Sequence, residues 1–277
     1  MTLAFEKWEG LGNDFVIVVA GRGRLLGAAA DLRAETIVAV CDRRRGVGAD
    51  GILVVEGLDE LRPRMVVFNA DGTRPEMCGN GVRCVAAFVA GSAAGTPAWP
   101  HAIHVETDAG ERRCVVTPVA EGGFDVEVDM GAARIDPDLG VILEGHDHRF
   151  RRVDLGNPHA ITFLPYDEAS IDRVGPRVAT TPAHGTNVEF CVVSPEEPGV
   201  LDVVVWERGV GRTLACGTGA CAVAVAACDE GRAAFGAPVR VRLPGGELVI
   251  RVEAGSRAVS MRGPARRVFR GELASPL

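Results

Sequence analysis

The sequence predicts an α+β protein of two pseudo-symmetric units, each a curved sheet wrapped around one central apolar helix. Three observations lead there. A Cys-Gly-polar-Gly motif occurs twice, in EMCGNGVRCVAAFVA from Glu76 to Ala90 and in LACGTGACAVAVAA from Leu214 to Ala227, half a chain length apart. A motif repeated at that interval suggests a duplicated unit. The runs after the motifs are rich in Ala and Val with almost no polar face, and a helix apolar all round requires burial on every side. Most of the remaining chain reads as short alternating segments broken by Gly, Pro, Asp or Asn, the pattern of strands and turns.

In order, strands are expected over Leu3–Glu9, Asp14–Val19, Ile52–Glu56, Arg64–Asn69, His101–Thr107, Arg112–Thr117 and Phe124–Met130. A second series covers His148–Asp154, Ala160–Leu164, Thr186–Ser194, Leu201–Glu207, Pro238–Leu243, Glu247–Glu253 and Ala258–Gly263. Helices are expected over Ala34–Cys41, Gly79–Ala90 and Gly217–Asp229, with a weaker one around Tyr166–Val174. The Gly-, Pro- and Asp-rich stretch DMGAARIDPDLG suggests a junction near Gly131. The units are therefore expected at 1–131, with 264–277 returning to the first through GPARRVFRGEL, and at 132–263.

Composition narrows the chemistry. The 277 residues are 47% hydrophobic, ample for two cores. Net charge is −7 and the pI about 5.5, which disfavours a nucleic-acid surface. Apolar windows are interrupted before the roughly 18 residues a membrane helix needs, and the start MTLAFEKWEG lacks a signal-like pattern, so no membrane partner and a cytoplasmic location are expected. The eight cysteines are expected to be reduced, since disulfide scaffolds belong to small secreted domains. No metal site is expected: the spacings Cys78 to Cys84 and Cys216 to Cys221 do not match zinc hooks, and no histidine lies near either pair in sequence. A single lysine, Lys7, leaves pyridoxal phosphate one residue for a Schiff base, so any amino-acid chemistry is expected to need no cofactor.

The two motifs carry the chemistry. Their glycines permit tight backbone geometry, and a helix start presents unpaired amides and a positive dipole end to an anion such as a carboxylate. The same field lowers the pKa of a cysteine placed there. If the units face each other, Cys78 and Cys216 flank one bound carbon. Inversion beside a carboxylate requires a base on one face and an acid on the other, and two thiols can supply both. The other cysteines, Cys41, Cys84, Cys114, Cys191, Cys221 and Cys228, read as core residues.

Six ordered blocks, GLGNDFVIV, GVGADGIL, FNADGTRPEMCGNGVRC, LGNPHAI, GTNVEF and WERGVGRTLACGTGACA, cover nearly the whole chain. Through them the sequence resembles the diaminopimelate epimerases, racemases that work without pyridoxal phosphate. The resemblance implies two small β-barrels around central helices with the active site in the cleft between them. It implies epimerisation of LL- to meso-2,6-diaminopimelate, on the route to lysine and peptidoglycan precursors. Cys78 and Cys216 match the acid–base pair, and Gly79, Asn80, Gly217 and Thr218 match the amides that hold the reacting carboxylate. Asn13, Asn69, Asn157 and Asn187 match binding positions, and Arg208 matches the group gripping the distal carboxylate. Glu207 can attract an ammonium group and, by the resemblance, lies beside the second cysteine as a tuner of its proton affinity, while His159 matches the group that assists the first.

Relatives are often homodimers, though no exposed interface is legible here. Gly51 stands where many relatives carry a substrate-contacting glutamine, so it receives no binding role, and the stretch around Pro75 is also less usual; fine substrate preference is left open. Two rival readings stand beside this one: a cofactor-independent racemase of another amino acid, and a redox or metal-binding thiol protein.

Overall fold

The computed structural model describes residues 2–21, 28, 31–57, 62–92, 98–120, 122–143 and 145–274. The chain forms two compact units, residues 1–128 with 263–277, and residues 129–262. No helix among the described residues is long and apolar enough to cross a membrane.

The first unit contains β1 (Thr2–Gly10), β2 (Asn13–Val19), α1 (Ala34–Cys41), β3 (Gly51–Glu56), β4 (Arg64–Asn69), α2 (Gly79–Ser92), β5 (His101–Thr107), β6 (Gly110–Pro118) and β7 (Phe124–Ala132). The last strand, β16 (Ala258–Ala274), neighbours β7 and also pairs antiparallel with β1, from Thr2 opposite Ala274 to Glu9 opposite Arg266. Eight strands thus close in a ring, which leaves no free edge. Inside lies α2, buried at every residue from Gly79 to Ala90. The runs FVIVV in β2 and GILVV in β3 are apolar without alternation because both faces are covered, by α2 within and by α1 outside. Arg83 of α2 is wholly buried, its Nε donating to the Pro264 carbonyl at 3.2 Å. A Cβ on Gly10 would stand 3.1 Å from its guanidinium.

The second unit contains β8 (Arg134–Leu143), β9 (His146–Asp154), β10 (Pro158–Thr162), α3 (Glu168–Thr180), β11 (Asn187–Val193), β12 (Val200–Glu207), β13 (Gly211–Thr213), α4 (Gly217–Asp229), β14 (Val239–Leu243), β15 (Gly246–Val252) and the first part of β16. Strand order is β16-β15-β14-β12-β11-β10-β9-β8, with β13 beside β12. The central helix is α4, buried from Gly217 to Cys228 and packed on β9, β10, β11, β14 and β15.

The duplication is visible in the topology. The first unit has parallel pairs β2–β3 and β4–β5, each crossed by a helix, and the second has β10–β11 and β12–β14. A parallel pair requires such a crossover, and in both units the second crossover is the buried helix.

Among the elements that differ from the expectation, two involve a proline. Helix α3 runs on through Pro176 to Thr180 instead of stopping at Val174. Ile171, Val174, Val178 and Ala179 bury one stripe, and that packing outweighs the hydrogen bond the proline lacks. The junction stretch is mostly strand β8, whose register shifts between Asp136 and Leu139, a bulge that accommodates Pro137.

The one lysine is structural. Lys7 is buried, donates to the Gly48 carbonyl, and lies 2.6 Å from Asp14, which also receives Arg43 at 2.6 Å. Burial alone would raise the Asp14 pKa, but hydrogen bonds from Arg43 and Lys7 bring it down to about 2. A depressed carboxylate stabilises the fold above its unfolded pKa of about 3.9, and that contribution disappears as pH falls through the folded value. Asp14→Asn is therefore expected to cost about 1–2 kcal/mol at pH 7, a figure reduced for its partial exposure. Urea unfolding of both proteins should show the difference shrinking between pH 4 and pH 2; a difference independent of pH would refute the assignment.

Candidate active site

The two Cys-Gly motifs adopt the same local structure. Each cysteine immediately precedes a central helix, and its sulfur accepts a hydrogen bond from the amide three residues on, Gly81 to Cys78 Sγ and Gly219 to Cys216 Sγ, both at 3.4 Å. Its carbonyl accepts from the next amide, Val82 or Ala220, at 2.9 Å. Sulfur thus takes the capping place that a Ser or Asp oxygen more often fills. The amides of residues 79, 80, 217 and 218 lie ahead of the first helical bonds, where the dipole favours an anion.

The motif glycines serve space rather than unusual dihedrals, since Gly79, Gly81, Gly217 and Gly219 all have negative φ. A Cβ on Gly219 would meet Cys216 Sγ at 3.3 Å and Glu189 Oε1 at 2.6 Å; on Gly81 it would meet Cys78 Sγ at 3.5 Å and Leu53 Cδ2 at 3.1 Å.

In the first unit, Asn80 Nδ2 donates to Asn13 Oδ1 at 3.1 Å, and Asn13 Nδ2 donates to Asp50 Oδ2 at 2.8 Å. Asp50 was not singled out by sequence; it follows GVGA directly and anchors β2 to β3. Asn69 Nδ2 donates to Thr73 Oγ1 at 2.9 Å, holding the turn after β4. Gly51 stands opposite Asn69 in the sheet, and a Cβ there would come within 2.3 Å of the Phe68 carbonyl oxygen, so no side chain fits without moving β4. Cys78 is half-buried.

In the second unit, His159 and Glu189 are wholly buried and meet Nδ1 to Oε1 at 2.7 Å. His159 Nε2 faces Asn157 Oδ1 at 3.2 Å, Asn157 Nδ2 donates to Thr218 Oγ1 at 3.1 Å, and Thr218 Oγ1 lies 3.5 Å from Cys216 Sγ. The resemblance associates His159 with Cys78; its hydrogen bonds within its own unit lead to Cys216. Asn187 Nδ2 donates to the Pro158 carbonyl at 3.2 Å, and its Oδ1 accepts from the Arg208 amide at 3.0 Å. Arg208 Nη1 donates to the His184 carbonyl at 2.5 Å, and Glu207 accepts from Thr213 Oγ1 at 2.6 Å. Glu189 is the residue that sequence reasoning missed. The signal was available, a lone carboxylate in the apolar strand NVEFCVV, because buried charge is rare unless paired.

The Cys216 thiol departs from expectation. Burial, followed by the Glu207 and Glu189 carboxylates, raises its pKa well above the ordinary thiol value, and the hydrogen bonds from Thr218 and Gly219 offset only part of this. Desolvation beside two carboxylates thus outweighs the hydrogen bonds to the sulfur. None of the eight cysteines is joined in a disulfide, and the six outside the motifs are buried.

The sequence model of the diaminopimelate epimerase family matches residues 5–135 and 151–268. A diaminopimelate epimerase from Desulforudis audaxviator is 43% identical over 289 residues, covering 98% of this chain and 99% of that one. One from Synechococcus sp. is 41% identical over 295 residues, covering 98% of each. Among solved structures, a hydroxyproline epimerase from Agrobacterium vitis has a TM-score of 0.70 at 16% identity, covering 98% of this chain and 91% of that one, a likeness of fold. With two cysteine-capped helix starts, a duplicated topology and full-length similarity, the chain belongs to the diaminopimelate epimerase family.

Proposed function

We propose that this protein interconverts LL- and meso-2,6-diaminopimelate by proton transfer between the substrate α-carbon and two thiols, Cys78 and Cys216. The observation that carries the reading is the matched pair of helix starts, each capped by a cysteine sulfur, in a chain of this family. Cys216 enters as the acid, held as a thiol by its burial and its carboxylate neighbours. Cys78 takes the α-proton, and reversal of the reaction exchanges the roles. The carbanion is stabilised where the amides of Gly79, Asn80, Gly217 and Thr218 face the reacting carboxylate, since fixed donors act most strongly on charge that develops in the transition state.

Lys7 is committed to Asp14, which supports a route without a Schiff base. Asn13, Asn69, Asn157 and Asn187 are assigned to the zwitterion, since an amide both donates and accepts. Glu207 is assigned to an ammonium group and to tuning Cys216, and His159 to assisting the cysteines. Arg208, exposed at the end of β12, is assigned to the distal carboxylate. Eight cysteines without a disulfide suit a reducing cytoplasm.

Cys78→Ala and Cys216→Ala are each expected to abolish epimerisation, measured as incorporation of solvent deuterium at the α-carbon of recovered substrate and product. Full epimerisation in either variant would contradict the roles. Arg208→Ala is expected to raise KM for diaminopimelate at least tenfold, on the order of 1.4 kcal/mol or more, because a charged hydrogen-bonding pair is lost. An unchanged KM would remove Arg208 from the site, and equal turnover of proline, histidine or glutamate would favour the rival racemase.

A further inference from the structure

Arg208 is exposed at the end of β12, yet one short stretch, His184–Asn187, holds it at both ends and along its stem. Its backbone amide donates to Asn187 Oδ1 at 3.0 Å, and Asn187 Nδ2 in turn donates to the Pro158 carbonyl at 3.2 Å. Its guanidinium Nη1 donates to the His184 carbonyl at 2.5 Å. Between these two ends the stem lies on Gly185, where a Cβ would stand 2.6 Å from Arg208 Cδ and 3.1 Å from Cγ. Every donor here is a main-chain, amide or guanidinium N–H and every acceptor a carbonyl oxygen, so each bond has one direction.

The stretch is itself anchored. Gly185 N donates to the Pro182 carbonyl at 2.8 Å, and the amide of buried Thr186 donates at 2.9 Å to the carbonyl of Ala179, in the last turn of α3. Gly185 has φ +69°, in the left-handed region that glycine enters without steric cost. The missing side chain matters separately from that angle. Asparagine also tolerates left-handed backbone, but it would carry a Cβ into the Arg208 stem. Cγ and Cδ lie near the root of the side chain, so a displacement there is carried outward and takes the guanidinium off the His184 carbonyl.

We propose that Gly185 is a positioning residue for Arg208: by leaving room for the stem, it lets the guanidinium dock on the His184 carbonyl, so that the cation is ordered before a substrate's distal carboxylate arrives. The proposal rests on the reading of Arg208 as the group that grips that carboxylate. Docking engages one guanidinium N–H and leaves the others for bidentate bonds to an anion. A long, exposed arginine otherwise samples many rotamers, and ordering it at the moment of binding weakens affinity. Gly185 thereby acts on binding and leaves the proton transfers at the cysteines unchanged.

The test uses the full-length protein. Gly185→Ala is expected to raise KM for diaminopimelate about fivefold with kcat within about twofold, the effect of losing one preordered side chain. Gly185→Asn, which accepts the left-handed backbone, is expected to do the same. Added to Arg208→Ala, which removes the stem, Gly185→Ala should change KM by less than about twofold, since both substitutions act through one side chain. Wild-type KM in the Gly185 variants, or KM losses that multiply in the double variant, would overturn the proposal. Nitrogen-15 NMR of labelled arginine, with Arg208 assigned by its loss in Arg208→Ala, needs no Gly185 variant. The ligand-free wild type is expected to show two distinct Nη signals for Arg208, because a docked guanidinium turns slowly about Nε–Cζ; one averaged signal overturns the proposal. An unchanged KM in Arg208→Ala would instead overturn the underlying reading, whatever Gly185→Ala does.

Discussion

Everything in the two units follows from a helix that is buried on all sides and entered through a cysteine. A run such as GTGACAVAVAAC offers no polar face to water, so strands must surround it. Its first amides are then buried as well, and they have no intrahelical acceptors. The cysteine sulfur satisfies one of them, and the amides ahead of it are left without an intrahelical acceptor. Fold and cysteine-capped helix start thus come from one requirement, that a wholly apolar helix be enclosed while its first turn still finds partners.

The same requirement explains the polar clusters beside each helix start. Asn13, Asn80 and Asp50 are linked by hydrogen bonds in the first unit, and His159, Glu189, Asn157 and Thr218 in the second. The local bonds of the two cysteines are alike, but their environments are not. Cys78 is half-buried, whereas Cys216 is enclosed beside two carboxylates. One repeated local structure thus places its two cysteines in unlike surroundings.

Some features of the sequence find plain structural causes. Gly51 is a glycine because the Phe68 carbonyl occupies the place of a side chain. Arg83, a charge inside an otherwise apolar helix, reaches the Pro264 carbonyl on the strand that closes the first ring. The apolar runs of β2 and β3 do not alternate because helices cover both faces.

The amino-acid sequence by itself determined the central helices and their starts. Ala34–Cys41 and Gly217–Asp229 begin and end where composition and spacing place them, and α2 begins at Gly79 as expected. It also determined most strands and the repeated motif, because these depend on periodicity and on residues adjacent in the chain. Tertiary structure alone decided the rest. Helix α3 passes Pro176 because of a buried stripe on its far side, and β8 forms because a bulge absorbs Pro137. Glu189 joins Cys216 through His159, Asn157 and Thr218, from three separate stretches of chain. The Cys216 pKa rises where the helix start alone would lower it. Burial and through-space charge depend on which distant residues fold together, and neighbours along the chain carry no record of that.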